Sequence, residues 1–125
     1  MPIIDADAHV IESPHTWSHM REDEQEFRPQ IFLRDPNDGA PYRKGQRHQY
    51  WVIEGKLQSK GSNVGSDVPS EAATLADVGR RLKHMDEVGI DVQVLFPSLF
   101  LRPLTTHHDL EFALIRSYNR WLADT

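Results

Sequence analysis

Two strand-like segments, each followed downstream by a helix-like apolar pattern, constrain the fold of this 125-residue chain more than any other feature. Residues 3–10 begin with β-branched side chains and then alternate polar with apolar positions, while residues 91–96 form a compact β-branched run that is closed by Pro97. Helical spacing of apolar residues predicts helices at about 74–88 and 109–124. The order strand, helix, strand, helix predicts an α/β fold with parallel strands and right-handed crossovers.

The two helical patterns each place apolar side chains at steps of three and four residues. The first stripe consists of Leu75, Val78, Leu82 and Met85. The second consists of Leu110, Leu114, Tyr118, Trp121 and Leu122. Gly89 stands where a left-handed residue would end the first helix.

A long excursion, residues 11–70, separates the first strand from the first helix and is punctuated by prolines. Residues 35–39 have strong turn chemistry. Residues 50–53 and 56–58 flank a Glu-Gly pair and predict a small hairpin, while residues 60–66 have the composition of a flexible linker. An insertion of this length is unusual in a compact domain unless it is functional.

The predicted sheet is too small to bury itself. Two crossover helices of the same hand would cover one face of a two-stranded parallel sheet and leave its other face bare, whereas parallel sheets are normally buried on both faces. Exposed strand edges also invite pairing with another chain. We therefore interpret residues 1–125 as a single incomplete domain, which a complementing remainder of the sheet or a homo-oligomer would cover.

Composition narrows the class of protein. Hydrophobic residues make up 38% and charged residues 26% of the chain, which is typical of a soluble globular protein. The formal net charge of −5 argues against a nucleic-acid partner. Cysteine is absent, so disulfides and thiolate metal sites are excluded. No signal peptide or membrane-spanning run is visible, which predicts a cytoplasmic protein without a membrane partner.

The first strand carries the sharpest chemical feature. Because strand side chains repeat with period two, Asp5, Asp7 and His9 are predicted to share one face. A carboxylate and an imidazole at this spacing can converge on one metal ion at about 2.0–2.2 Å. Asp5, one step deeper, would orient a ligand or support the core. The alternative is a plain polar face on an edge strand, since an isolated Asp-x-His pair is a weak motif.

Three blocks of sequence resemble a known family. Residues 4–12 read IDADAHVIE, residues 81–98 read RLKHMDEVGIDVQVLFPS, and residues 118–122 read YNRWL. They are similar, in this order, to the first strand, the first helix with the second strand, and the following helix of the amidohydrolase superfamily. The most similar branch is amidohydrolase family 2, the aminocarboxymuconate-semialdehyde decarboxylase-like group.

The resemblance implies a (β/α)₈ TIM-type barrel, of which these residues would be the N-terminal βαβα portion with a long insertion that contains the hairpin. The family's first strand supplies two metal ligands, commonly His-x-His and in some members Asp-x-His, and the matching positions here are Asp7 and His9. The family's further histidine ligands and its catalytic aspartate come from later strands, which these 125 residues lack.

The implied activity is that of a divalent-metal-dependent hydrolase or non-oxidative decarboxylase, a lyase, acting on a small carboxylated or cyclic substrate. Zinc is the expected ion, with manganese or iron as alternatives. The chain alone is expected not to be catalytically competent. The competing interpretation is a non-catalytic remnant or assembly piece that binds metal weakly or not at all. A third alternative is a tautomerase that uses Pro2 as its N-terminal base, but the Asp-x-Asp-x-His pattern fits that class poorly.

Several other side chains are candidates for supporting roles. Glu12 and Ser98, which follow the two strands, are candidate substrate-binding or ligand-orienting residues, with an exposed loop residue and a strand terminator as the alternatives. Arg102 could pair with a substrate carboxylate, although a solvated arginine is the simpler interpretation. The aromatic residues of the excursion could line a pocket or form a satellite cluster; they are Trp17, Phe27, Tyr50 and Trp51. Among the other histidines, those in the excursion could reach a metal, and the rest are expected to be solvated or to cap helices; they are His15, His19, His48, His84, His107 and His108.

Overall fold

A computed structural model describes residues 1–34, 49–61 and 63–125; the predicted turn at 35–39 and His48 lie outside them. The protein is a mixed α/β structure with two separate sheets. A parallel pair joins β1 and β5, and an antiparallel sheet has the order β2-β3-β4. The strands are β1 (Ile4–Val10), β2 (Gln30–Leu33), β3 (Gln49–Ile53), β4 (Lys56–Ser59) and β5 (Val92–Pro97).

The helices follow the predicted order, with one correction. Two 3₁₀ helices span Thr16–His19 and Glu22–Phe27, and the α-helices are α1 (Ser70–Ala73), α2 (Val78–Val88) and α3 (His108–Asp124). The predicted helix at 109–124 is confirmed as α3. The predicted helix at 74–88 is wrong in its first turn, because the chain breaks after α1 and restarts at Val78.

The physical cause of that break is local. Leu75 adopts a left-handed φ of 55°, which no α-helix contains. Asp77 then acts as the N-cap of α2, its side chain accepting a hydrogen bond of 2.9 Å from the Arg80 N–H. At the other end Gly89 has a φ of 75° and ends α2, as predicted.

The apolar stripe predicted for this helix is only partly buried. Met85 is buried, but Val78 and Leu82 remain exposed. Arg81 is buried in their place, because its guanidinium donates hydrogen bonds toward the parallel sheet.

Both long helices lie on the same face of the parallel sheet. The Arg81 guanidinium of α2 hydrogen-bonds the Gln93 side chain of β5, and Tyr118 and Trp121 of α3 pack in one cluster with Val10 of β1. The predicted parallel pairing and one-sided covering are therefore confirmed.

The other face of the parallel sheet is bare within the part of the chain that the structure describes. Its apolar side chains are between 40% and 58% exposed, and we call them the open face: Ile4, Val92, Val94 and Phe96. Isolated exposed apolar residues are common, but four neighbouring ones on a single sheet face mark a surface that favours contact with other protein.

The register of the parallel pair corrects one prediction. Asp5 pairs with Gln93 and Ala8 pairs with Leu95, so β1 contains one extra residue between them, which is a β-bulge. Paired residues in parallel strands point to the same face, so Asp5 lies on the helix-covered face together with Gln93. Asp7 and His9 point to the open face. The prediction that all three share a face is wrong for Asp5, because the bulge interrupts the two-residue period.

The excursion forms the antiparallel sheet and contributes to the main core. The predicted hairpin is confirmed as β3–β4, and its turn residues Glu54 and Gly55 both have positive φ, at 51° and 70°, as in a type I′ turn. The edge strand β2 was not predicted.

A buried cluster joins the excursion to the β5–α3 segment, and it consists of Trp17, Met20, Trp51, Ile53, Leu99, Leu104, Leu110, Ala113 and Leu114, with Phe27 and Phe100 packed against it. Of the four aromatic residues expected in a pocket or cluster, Tyr50 alone lies outside this core.

Candidate metal centre

Asp7 and His9 form a donor pair at the open face. The His9 Nε2 atom lies 3.4 Å from the Asp7 Oδ1 atom. The His9 side chain is 13% exposed and the Asp7 side chain is 90% exposed, so the imidazole is held by the protein while the carboxylate projects into solvent. The Phe96 ring lies beside the imidazole, with 6.1 Å between ring centroids.

The partners of His9 determine which ring nitrogen is available. The His9 Nδ1 atom lies 3.1 Å from the Pro97 carbonyl oxygen, which can only accept, so we place the ring proton on Nδ1. The Nε2 lone pair then points toward Asp7. Metal-binding histidines commonly donate their second N–H to a backbone carbonyl in this way, because that hydrogen bond fixes both tautomer and ring orientation.

Asn63 also contacts the imidazole, and its amide agrees with that tautomer only in the flipped orientation. Its amide group lies 2.9 Å from the His9 Nδ1 atom through Nδ2, while its Oδ1 is buried and has no hydrogen-bond partner among the described residues. Rotating the amide by half a turn would bring Oδ1 to the Nδ1–H and satisfy the oxygen. Asn63 was not singled out in the sequence, because it lies in a segment with linker composition.

Glu12 is a buried structural carboxylate rather than an exposed loop residue. It is 1% exposed, and its Oε1 accepts hydrogen bonds from the Ser98 N–H at 2.9 Å and the Leu99 N–H at 3.0 Å. Burial raises the pKa of Glu12, against these two hydrogen bonds and the attraction of Lys60, which lower it. Burial, together with the nearby Glu12 carboxylate, also raises the pKa of Tyr118 to about 12. Glu12 therefore joins the end of β1 to the segment after β5.

Ser98 shares this structural role. Its hydroxyl donates a hydrogen bond of 2.6 Å to the Val10 carbonyl oxygen, and its N–H is bonded to Glu12. The hydroxyl and the N–H of Ser98 are thus both occupied by protein in the described structure. A direct contact between Ser98 and a substrate remains a prediction from the sequence.

The two described histidines of the excursion, His15 and His19, do not join the donor pair. The rings of His15 and His19 lie 5.3 Å apart, and the His19 Nε2 atom lies 3.2 Å from an Asp124 carboxylate oxygen. Within residues 1–34, 49–61 and 63–125, no group of three or more His, Cys, Asp or Glu side chains is arranged to hold a metal ion. Asp7 and His9 thus supply two donors, and the described residues place no third donor beside them.

The remaining histidines follow the predicted roles with one exception. His107 caps α3, its Nδ1 accepting a hydrogen bond of 3.2 Å from the Leu110 N–H, and His108 is exposed. The side chain of His84 is only 15% exposed, so the predicted solvated position is wrong. Arg102 is exposed and donates to the Gln58 side chain at 3.3 Å, in agreement with the simpler interpretation.

Two surface grooves of the described structure lie away from the donor pair. One of about 300 Å³ is lined by residues 100–104 and by Glu111, Leu114 and Ile115 of α3. The other, of about 270 Å³, lies between the second 3₁₀ helix and the β3–β4 turn. Neither is lined by Asp7 or His9.

Comparison with known proteins adds no assignment: no protein-family model matches the chain, and no curated protein has a similar sequence. Within the described residues, none of the helices combines the length and the apolar character that crossing a bilayer requires.

Proposed function

We propose that Asp7 and His9 are two ligands of a divalent-metal centre in an amidohydrolase-type enzyme. The enzyme would be a hydrolase or a non-oxidative decarboxylase of a small carboxylated or cyclic substrate. In this proposal the chain supplies the first strands and helices of a (β/α)₈ barrel, and the open face of β1 and β5 is the inner face of that barrel. The sequence resemblance supports the family, and the geometry of the donor pair supports the role of its two residues.

The observation that carries the proposal is the separation of 3.4 Å between the His9 Nε2 and Asp7 Oδ1 atoms. Two donors bound at about 2.0–2.2 Å to a tetrahedral ion lie about 3.4 Å from each other. The pair therefore has the spacing that a shared ion requires, on an imidazole already oriented by the Pro97 carbonyl. An imidazole with a carboxylate suits zinc, and manganese or iron would also accept this donor set.

The side chains have separable tasks in this centre. The His9 ring is oriented by the hydrogen bond between its Nδ1 and the Pro97 carbonyl oxygen, so its Nε2 has a fixed direction. The exposed Asp7 carboxylate, in contrast, can adjust to the ion. A bound divalent cation would polarise a substrate oxygen or lower the pKa of a water molecule. A catalytic zinc site needs a third protein ligand, and the described residues place none beside this pair.

A non-catalytic role is the second candidate, and two observations favour it. The Asp7 side chain is 90% exposed, and a carboxylate 3.4 Å from an imidazole can also be a simple surface ion pair. In that case the chain would be an assembly piece that docks other protein on its open face without holding a metal.

Zinc binding separates the two candidates. The chain is dialysed against Zn²⁺ and analysed for bound metal, together with Asp7→Ala, His9→Ala and the control His108→Ala, which removes an exposed imidazole elsewhere. We expect zinc in the wild type and the control and its loss in both site variants. Binding also stabilises the folded state, by about 2.7 kcal/mol at a zinc concentration 100 times Kd. Equal zinc content in all four proteins would overturn the ligand assignment, and no zinc in any of them would favour the assembly piece.

A further inference from the structure

Arg81 of α2 is buried directly behind the donor pair. The residue is 6% exposed, and its guanidinium makes three hydrogen bonds to the protein. Its Nε donates to the Gln93 Oε1 at 2.8 Å, and its Nη1 donates to the carbonyl oxygens of His9 and Ala72, both at 3.2 Å. Burial lowers the pKa of the Arg81 guanidinium, and the attraction of the Asp5 carboxylate raises it in part. The buried cation is therefore accompanied by the negative charge of Asp5.

The network continues from Arg81 to Asp7. The Gln93 Nε2 donates to the Asp5 Oδ2 at 3.0 Å, and the Asp5 Oδ1 accepts a hydrogen bond of 3.1 Å from the Asp7 N–H. The bonded chain Arg81–Gln93–Asp5 therefore ends on the backbone of both members of the donor pair: the carbonyl of His9 and the N–H of Asp7. We call these three residues the backing network.

The β-bulge explains why the strand needs this support. Asp7 lies in the stretch between Asp5 and Ala8 where the pairing with β5 shifts, and a regular ladder does not continue through it. The bulge directs the Asp7 side chain to the open face, and the Asp5 carboxylate accepts the hydrogen bond of the Asp7 N–H. The direction of the Asp7 side chain consequently depends on where the backing network holds Asp5.

We propose that Arg81 is a positioning residue for the Asp7–His9 donor pair, an inference that rests on the proposed metal centre. Arginine suits the task because its planar fork donates in several fixed directions at once, here to two carbonyls and one amide oxygen. Lysine at this position would keep the charge but could not reproduce the three bonds together. Loss of a residue that orients metal ligands typically weakens metal affinity by about 10- to 100-fold.

The first test is a Zn²⁺ titration followed by the NMR signals of the His9 ring, in the wild type, Arg81→Lys and Arg80→Lys. Arg80 is the matched control, because it is the neighbouring arginine and its guanidinium pairs with Glu87 at 3.6 Å on the surface. We expect Arg81→Lys to weaken zinc binding by at least about tenfold and Arg80→Lys to leave it unchanged. Wild-type His9 signals that do not respond to zinc would overturn the metal centre, and this inference with it. A zinc-responsive wild type with equally tight binding in Arg81→Lys would overturn the role of Arg81 alone.

The second test separates positioning from general stability without metal. Amide hydrogen exchange is measured at Asp7 and at Leu95, a β5 residue outside the backing network, in the same three proteins. Positioning predicts that Arg81→Lys accelerates exchange at Asp7 more than at Leu95, whereas uniform destabilisation would accelerate both alike and contradict the inference.

A second variant covers the case in which Arg81→Lys does not fold. Asp5→Ala removes the acceptor of the Asp7 N–H at a half-buried position, so the core is retained. It should weaken zinc binding by about the same factor. Unchanged zinc affinity in Asp5→Ala would contradict the proposed path from Arg81 to Asp7.

Discussion

Replacing Trp17 by alanine would test whether the excursion is an integral part of the core. The Trp17 side chain is fully buried, and its ring makes edge-to-face contacts with Trp51 at 5.6 Å and with Phe100 at 6.4 Å between centroids. These contacts join the first 3₁₀ helix to β3 and to the segment after β5. Their loss should therefore destabilise the whole fold and not only the excursion.

The expected magnitude is the difference between two opposing effects. Truncating a buried Trp to Ala usually costs about 3–5 kcal/mol, including its aromatic contacts. The Trp17 Nε1–H is buried without a hydrogen-bond partner among the described residues, and removing such a donor recovers about 1–3 kcal/mol. We expect a net loss of about 2 kcal/mol for Trp17→Ala. Trp17→Phe keeps an aromatic ring and removes the unpaired donor, so it should cost about 1 kcal/mol or less.

The free energy of unfolding is measured by urea titration at low protein concentration, followed by far-UV circular dichroism because tryptophan fluorescence changes with the mutation. Phe112→Ala is the control, since Phe112 is 53% exposed on α3 and its loss should cost about 0.5 kcal/mol or less. A cost for Trp17→Ala no larger than that of Phe112→Ala would refute the core assignment. A cost for Trp17→Phe as large as that for Trp17→Ala would refute the argument from the unpaired N–H.

Three further predictions concern pH and association. The pKa of Glu12 is raised, so the stability that this residue contributes is present at low pH and is lost as pH rises through its folded-state pKa. Glu12→Gln should abolish that part of the pH dependence of stability, which is measured as melting temperature against pH. Burial alone would raise the pKa of Glu24, but hydrogen bonds from the Arg116 side chain and the Arg21 N–H and the attraction of both guanidiniums lower it overall. The stability that Glu24 contributes is therefore present at neutral pH and is lost as pH falls through its folded-state pKa. Glu24→Gln should flatten the acid limb of the same melting-temperature profile, and an unchanged acid limb would contradict the lowered pKa. Val94→Lys places a charge at the centre of the open face. It should raise the dissociation constant of self-association by about tenfold for each chain that loses a buried Val side chain. A wild type that sediments as a monomer at every concentration would contradict association through this face.

Local patterns predicted the regular elements well, because each depends on residues close in sequence. Alternation at 3–10 predicted β1, the Glu-Gly turn predicted the β3–β4 hairpin, and three- and four-residue spacing predicted α3. The late start of α2 had a local signal in Asp77, a good N-cap residue three positions before Arg80, which the longer apolar stripe masked. The short edge strand β2 had too few residues to show a period.

The sequence predicted the pair Asp7 and His9 from their spacing and from the family resemblance, and this metal site stays a prediction. It did not predict the residues that hydrogen-bond to the backbone of the pair. Arg81 and Gln93 had no pattern that distinguished them from surface residues of a helix and a strand. Gln93 becomes a partner of β1 because the parallel register brings it to Asp5, 88 residues away in the sequence. Arg81 reaches the His9 carbonyl from α2, across 72 residues.

Propensity, periodicity and turn chemistry act over a few residues, so local patterns were enough to predict the order of strands and helices and the hairpin turn. Only the folded chain shows that β1 carries a bulge, that Asp5 lies on the helix-covered face while Asp7 and His9 lie on the open face, and that Glu12 is buried against the backbone of Ser98 and Leu99. Each of these outcomes depends on satisfying polar groups from distant parts of the chain in one buried arrangement, and such pairings leave no signal in a single local window.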